Sequence, residues 1–337
     1  MSLLRKNAGW ARRYRPIHNR FTDPILAEQN PTHPHSNPTD SATIVLAGAT
    51  GALGLLIAHH LRQRGATVRA LVRPTASTGP EAESLRLQGA EVVAVDYNNA
   101  AELTKACQGA SCVVSTVSGL RAVIVDTQKR LLAAAVAAGV PRFIPSDFSI
   151  DFTRLPEGSN RNLDLRREFQ RHLDQAPIQA TSVLNGMFSE LLKGTAPVVL
   201  PGPKRVVYWG DADQPLDFTT MVNTAEFTAA AALDPTTPRY LRVAGDVASI
   251  RGLQAAAEQA TGQPYKLFRV GGLGAFGKVI TVTKTLMPAS DDVFPPWQGM
   301  QYLHNMFTGL PKLKSLDNDR YPEIRWTKVR EVLAPSR

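Results

Sequence analysis

TIVLAGATGALG, residues 43–54, is a short apolar run rich in β-branched residues that ends on Gly48, Gly51 and Gly54. A run without polar alternation predicts a strand buried on both faces, residues 43–49, and the spacing over 52–64 predicts a helix directly after it. Strand, glycine turn and helix in that order form the setting in which such glycines hold a dinucleotide. Gly48 permits the tight turn, Gly51 lets the backbone approach a pyrophosphate with no Cβ in the way, and Gly54 lets helix and strand pack closely. The first N–H groups of the helix, around Ala52 and Leu53, face that anion with the positive end of the helix dipole, and Thr50 adds a hydroxyl.

Beyond this unit the chain alternates. Strands are predicted over 68–73, 91–96, 112–117 and 142–146, and helices over 81–88, 101–107 and 123–138. Five strands separated by helices imply right-handed crossovers and a doubly wound parallel sheet of the α/β class. After Asp151 the pattern loosens into a helix at 163–175, strands at 181–184, 205–209 and 240–243, and helices at 224–233 and 250–261. This half is expected to form a smaller C-terminal α/β substrate domain over the carboxyl ends of the strands, where open α/β sheets bind ligands. The expected organisation is a disordered basic extension at 1–40, a nucleotide-binding domain at 41–155, and at 156–337 the remaining sheet elements with the smaller domain.

The second strand ends on Arg73, where an Asp or Glu would grip a ribose 2′-hydroxyl. A guanidinium suits a 2′-phosphate, so NADP is favoured over NAD. Asp96, ending the third strand, is placed either to contact the adenine amine or to form a solvated turn with Asn98 and Asn99. A second pattern, Gly272-Leu-Gly274-Ala-Phe-Gly277, follows an apparent strand at 265–270, but Val279 stands where a phosphate-binding loop needs Ser or Thr. It is expected to be a tightly packed helix entry.

The 337 residues are 43% hydrophobic and 20% charged, as in ordinary globular chains. Of the net charge of +9, residues 1–40 supply +3, and Arg161, Arg166, Arg167 and Arg171 form the compact basic group in the body. A helical face beside an anionic cofactor explains that group, and no nucleic-acid partner is expected. Two cysteines give neither a disulfide framework nor a zinc site, no metal is expected, and a reducing cytoplasm is the natural setting. No run reaches the length of a membrane span, and residues 1–16 lack the apolar core of an export signal. H-E-x-x-H and G-x-S-x-G are absent, and none of the seven tyrosines has a lysine four residues on, so the Tyr-x-x-x-Lys pair of typical short-chain dehydrogenases is missing.

GATGALG, LVRP at 71–74, STVSG at 115–119, VPRFIPSDF at 140–148 and DNDRYPEIRWTKVREVL at 317–333 together resemble the atypical short-chain dehydrogenases grouped as NmrA-like and isoflavone-reductase-like proteins. The resemblance implies a Rossmann domain with a smaller substrate domain and a bound NADP(H). It places Thr116 and Val117 on the cofactor and the nicotinamide near Pro145, Ser146 and Phe148. In the plant reductases a catalytic lysine stands on the helix after the PSDF segment; here Arg166 takes that position. Arginine orients a carbonyl or stabilises an oxyanion but does not relay a proton. Two functions follow: an NADPH-dependent reductase of a small, aromatic or carbonyl substrate, its pocket shaped by Phe152, Met187, Phe188 and Trp209, or a non-catalytic NAD(P) redox sensor acting through a protein partner. A monomer or homodimer is expected.

Overall fold

A computed structural model describes residues 41–288 and 292–335, so the extension at 1–40 lies outside the described residues. The chain runs β1 (Thr43–Ala47), α1 (Ala52–Gln63), β2 (Thr67–Val72), α2 (Pro80–Leu87), β3 (Glu91–Ala94), α3 (Ala100–Cys107), β4 (Cys112–Ser115), α4 (Gln128–Ala137), β5 (Arg142–Ile144), α5 (Arg161–Leu173) and β6 (Gln179–Ala180). These six strands form one sheet in the order β3-β2-β1-β4-β5-β6, and each pairing is parallel. The doubly wound sheet is therefore present with one strand more than the sequence reading gave: β6 is two residues long and carries no periodicity to detect. The helix expected over 123–138 opens instead with a π-helical turn, Ala122–Thr127, before α4.

β1 shows why its sequence does not alternate. Ile44 and Leu46 pack with Ile57 and Leu61 of α1, while Val45 and Ala47 join Leu103, Leu131 and Phe143 on the opposite side. All four strand residues are 0% exposed, as burial between two helix layers requires. The layer holding α1 is completed by α6 (Met221–Leu233), whose Phe227, Ala229 and Ala231 share that core. Buried Arg142 of β5 fixes the end of α6, donating to Ala232 O at 2.9 Å, Ala231 O at 2.7 Å and Thr237 Oγ1 at 2.7 Å. A cation at a helix C-terminus is favourably placed for the free carbonyls there.

The second half carries three small sheets. β7 (Ser182–Leu184) pairs with β12 (Tyr240–Arg242); β11 (Leu216–Thr219) lies between β8 (Met187–Phe188) and β13 (Asp246–Ala248); β10 (Arg205–Trp209) lies between β9 (Val199–Leu200) and β14 (Lys266–Gly271). With α7 (Ile250–Thr261), α8 (Leu273–Leu286), α9 (Pro296–Phe307) and α10 (Val329–Leu333) they enclose a separate core that includes Ile150, Phe152, Met187, Phe218, Leu253, Phe276 and Met306. The stretch after α9 returns to the first half. Arg320 Nε and Tyr321 Oη both donate to Asp234 at the end of α6, at 2.8 and 2.9 Å, and the Tyr321 ring stands 4.9 Å from Phe227.

His60 on α1 supplies a pH test of this packing. Burial, with the positive charge of His59 and Arg64 adding to it, lowers His60 from 6.5 to about 4. The unfolded chain therefore binds the proton first, so the contribution of neutral His60 is complete above pH 6.5 and is lost as pH falls toward 4. His60→Gln is expected to flatten that loss, which amounts to at most ~1.4 kcal/mol per pH unit before solvent screening. Urea unfolding of both proteins at pH 7 and pH 5 measures it; equal pH slopes contradict the assignment.

Candidate nucleotide site

Gly48 adopts φ +75°, the left-handed region that a side chain disfavours, and a Cβ there would stand 2.8 Å from Thr116 C and Val117 N. A Cβ on Gly54 would lie 2.4 Å from Gly48 O and 2.8 Å from Ala49 Cα, so α1 sits against the end of β1 only because residue 54 has no side chain. Gly51 is less crowded: a Cβ would meet Gly48 O at a tight 3.3 Å but nothing else within 4 Å, which leaves its outer side open. Gly51 is also the N-cap of α1, and it gives the helix no side-chain cap and no acidic residue in the first turn. The first N–H groups, at Ala52 and Leu53, thus keep their electropositive character for an anion. Thr50 is partly buried beside them.

The next strand end closes the turn rather than offering groups to a ligand. Thr116 Oγ1 donates to Ala47 O and Gly48 O, both at 3.0 Å, and its N–H donates to Ala47 O at 2.9 Å. Val117 O accepts from Ser146 Oγ at 2.7 Å. Of the two residues expected on the cofactor, Thr116 therefore has its hydroxyl engaged inside the turn, and Val117 carries the link to β5.

Arg73 follows β2, is exposed, and its guanidinium makes no hydrogen bond or ion pair with the described residues. Asp96 forms a turn: its Oδ1 accepts from Asn98 N at 2.9 Å and Asn98 Nδ2 at 3.1 Å. The structure thus realises the solvated-turn alternative for that oxygen. The next residue is one to which the sequence reading gave no role here. Tyr97 Oη donates to Leu71 O at 3.5 Å, and burial pushes the phenol up.

Residues 142–150 are buried throughout. Both backbone groups of Ser146 are engaged: its N–H donates to Gln128 Oε1 at 3.0 Å, and its carbonyl accepts from Arg166 Nε at 3.1 Å. Arg166 Nη1 also donates to Asn162 O at 3.1 Å, so the side chain is held across the start of α5. Pro145 O accepts from Asp147 N at 2.8 Å, and Phe148, 7% exposed, belongs to the core behind the sheet. Its ring belongs to the same core cluster as Ile144 and Val183. Asp147 is fully buried, accepts from Ser182 Oγ at 2.7 Å and Gln170 Nε2 at 3.3 Å, and burial raises its carboxyl above the usual range. Gln128 and Asp147 bring α4, α5 and β7 onto one segment; their only sequence signal is a polar residue among apolar neighbours.

The basic face of α5 is spent within the fold. Arg161 donates to Val293 O at 2.7 Å, Arg167 to Phe152 O at 2.6 Å and Leu155 O at 2.8 Å, and Arg171 pairs with Glu157 at 3.1 Å. This corrects the expectation that the four arginines face a cofactor together: Arg166 alone reaches Ser146. The pocket residues proposed from sequence divide likewise. Phe152 is 0% exposed in the second core, and Trp209 stacks on Phe276 at 4.7 Å. Met187 packs in that core and Phe188 against the first. The second glycine pattern does enter a helix, α8, but a Cβ on Gly272 or Gly274 would meet nothing within 4 Å, so it is not tightly packed. Among the described residues no group of three His, Cys, Asp or Glu side chains could hold a metal, and no helix is long and apolar enough to cross a membrane.

The glycine geometry separates two variants. Gly54→Ala forces backbone apart and is expected to cost about 1–3 kcal/mol of stability, whereas Gly51→Ala leaves the melting temperature within about 2 °C and weakens dinucleotide binding. Calorimetric melting and NADPH titration of both variants distinguish them, and a Gly51→Ala protein that binds as tightly as wild type contradicts the role of that open side.

Residues 40–290 match the model of the NmrA-like family. The chain is 30% identical to phenylcoumaran benzylic ether reductase PT1 of Pinus taeda over 86% of its own length and 97% of that protein, and 28% identical to isoflavone reductase homolog IRL of Zea mays over 68% and 77%. Its fold matches the solved structure of AtPrR2 with NADP+ and (+)pinoresinol at a TM-score of 0.74 and 22% identity, covering 88% of this chain and 98% of that one. With the glycine turn, the buried 142–150 segment and the returning C-terminal stretch all in place, the chain belongs to the NmrA-like family.

Proposed function

We propose that this protein is an NADP(H)-dependent reductase of a small aromatic carbonyl or related substrate. The observation that carries this reading is the pairing of an uncapped α1 N-terminus behind Gly51 with an unpartnered guanidinium, Arg73, at the end of β2. The residues present fit the cofactor. The N–H groups of α1 would hold its pyrophosphate, with Thr50 beside them, and Arg73 its 2′-phosphate, as a planar fork of donors does. Ser146 and Arg166 would border the nicotinamide end, and NADPH supplies a hydride when bound. A relative reducing a phenylcoumaran ether and a neighbour binding pinoresinol support an aromatic substrate class.

Arg166 holds position rather than moving protons. Its guanidinium stays charged at working pH, and its bonds to Ser146 O and Asn162 O leave Nη2 to face negative charge developing on a substrate oxygen. The buried Cys107 and Cys112 are free thiols, raised by burial to about 11 and about 12, so they are inert as nucleophiles and fit a reducing cytoplasm. The second reading, a redox sensor that binds NAD(P) and acts on a protein partner, is supported by one observation: Arg166, to which the resemblance gives a lysine's position, is tied to two backbone carbonyls.

Turnover decides between them. With NADPH, the protein is expected to reduce at least one of menadione, chalcone and cinnamaldehyde; binding of NADPH without oxidation by any of the three supports the sensor. Arg73→Ala is expected to weaken NADPH binding by roughly 10–100-fold while leaving NADH within about threefold. Equal losses for both cofactors contradict the assignment of the 2′-phosphate to Arg73.

A further inference from the structure

Reduction of a carbonyl needs a proton as well as a hydride, and Arg166 does not give one up. A phenol that could give one stands on another helix, α9. α9 packs on the first turn of α5 through Gln298 Nε2 to Asn160 Oδ1 at 2.7 Å, Gln301 Oε1 to Arg161 N at 3.3 Å and Asn305 Oδ1 to Asn160 Nδ2 at 3.3 Å, with the Arg161 guanidinium 4.8 Å above the Trp297 ring. Tyr302 lies one helical turn beyond Gln298 and so on the same face of α9. Its ring packs on the second core, partly buried. Its hydroxyl makes no hydrogen bond with the described residues and is not sealed from solvent. Arg166 and Arg161 both act on it electrostatically. Resting on the reductase reading, we infer that Tyr302 is the proton donor of the reduction, in the place that a lysine fills elsewhere in the family.

The step balances with the groups named. The carbonyl carbon takes the hydride that NADPH supplies, the π electron pair moves onto oxygen beside Arg166, and Tyr302 Oη–H gives its proton to that oxygen. The phenolate left behind faces Arg166 and Arg161 until solvent returns a proton, and NADP+ and the alcohol are the products. Burial raises the phenol above its ordinary value, and the two guanidinium groups pull it back. Of the other charged or titratable groups around these arginines, buried Asp147 interacts with Arg166 and accepts from Ser182 and Gln170, Asp292 acts on Arg161, Lys284 lies 5.3 Å from the Trp297 ring, and His304 packs at 5.8 Å from Phe276.

The test uses the full chain with NADPH and whichever of menadione, chalcone and cinnamaldehyde the wild type reduces fastest. Tyr302→Phe, which keeps the ring, is expected to lower kcat about 100-fold, remove the alkaline limb of the kcat/KM profile, and leave NADPH affinity by calorimetry within about twofold. In the Arg166→Lys background a lysine can donate, so adding Tyr302→Phe is expected to cost less than about tenfold. A readout independent of turnover is phenolate absorbance of the NADPH-bound protein: the Tyr302 signal, identified by its loss in Tyr302→Phe, titrates at lower pH in wild type than in Arg166→Gln. Wild-type turnover with kcat and the alkaline limb intact in Tyr302→Phe overturns the inference and leaves the reductase standing. A wild type that binds NADPH but reduces none of the three overturns both.

Discussion

The structure depends on how closely α1 can approach the end of β1. With 2.4 Å between the Cβ position of Gly54 and Gly48 O, any side chain at residue 54 drives the helix away from the strand. That seating fixes the direction of the α1 axis, and with it the N–H groups that follow Gly51. It also sets the ledge on which α6 packs, through Ile57 and Leu61 against Phe227 and Ala231. Thr116 completes the constraint from the neighbouring strand by binding both Ala47 O and Gly48 O. One backbone contact therefore aligns the anion-binding end of the helix, the centre of the sheet and the helix layer behind it.

A second constraint gathers at residues 142–150. Arg142 holds the end of α6, Gln128 and Arg166 hold the two backbone groups of Ser146, and Asp147 ties α5 to β7. Charged and polar groups are buried here with hydrogen-bond partners for most of their polar atoms, Arg142 Nε and Asp147 Oδ1 excepted, in a low-dielectric interior where unpaired groups are costly. An arginine at residue 166 suits this bracket. A guanidinium can bond Ser146 O and Asn162 O together and still present a donor, which a single ammonium on a flexible stem does less rigidly. The cost is a proton source, and α9 is the element that brings an acid to the same place.

Much of this was legible in the residues. The run Thr43–Ala47 is apolar on both faces because it is buried between two layers, and the three glycines occupy positions where a Cβ would collide or obstruct. Arg73 stood out because a carboxylate was missing there. What escaped was set by contacts distant in sequence. β6 consists of Gln179 and Ala180, too few residues for a period, and exists because β5 offers an edge. The π-helical turn at Ala122–Thr127 lies inside an Ala-rich helical pattern and leaves no compositional mark. The arginines of α5 looked like one basic face, but their carbonyl and carboxylate partners come from residues 152, 155, 157 and 293, which no helical spacing reveals. Gln128, Asp147 and Tyr302 acquire their surroundings only when α4, α5 and α9 meet.

On the reading proposed above, the α1 N-terminus and Arg73 together form a site for a 2′-phosphorylated dinucleotide. Calorimetric titration of the wild-type protein with NADPH and with NADH, at one ionic strength, tests it most directly. One site per chain and at least tenfold tighter binding of NADPH are expected. Equal affinity for the two, or binding of neither, would contradict it.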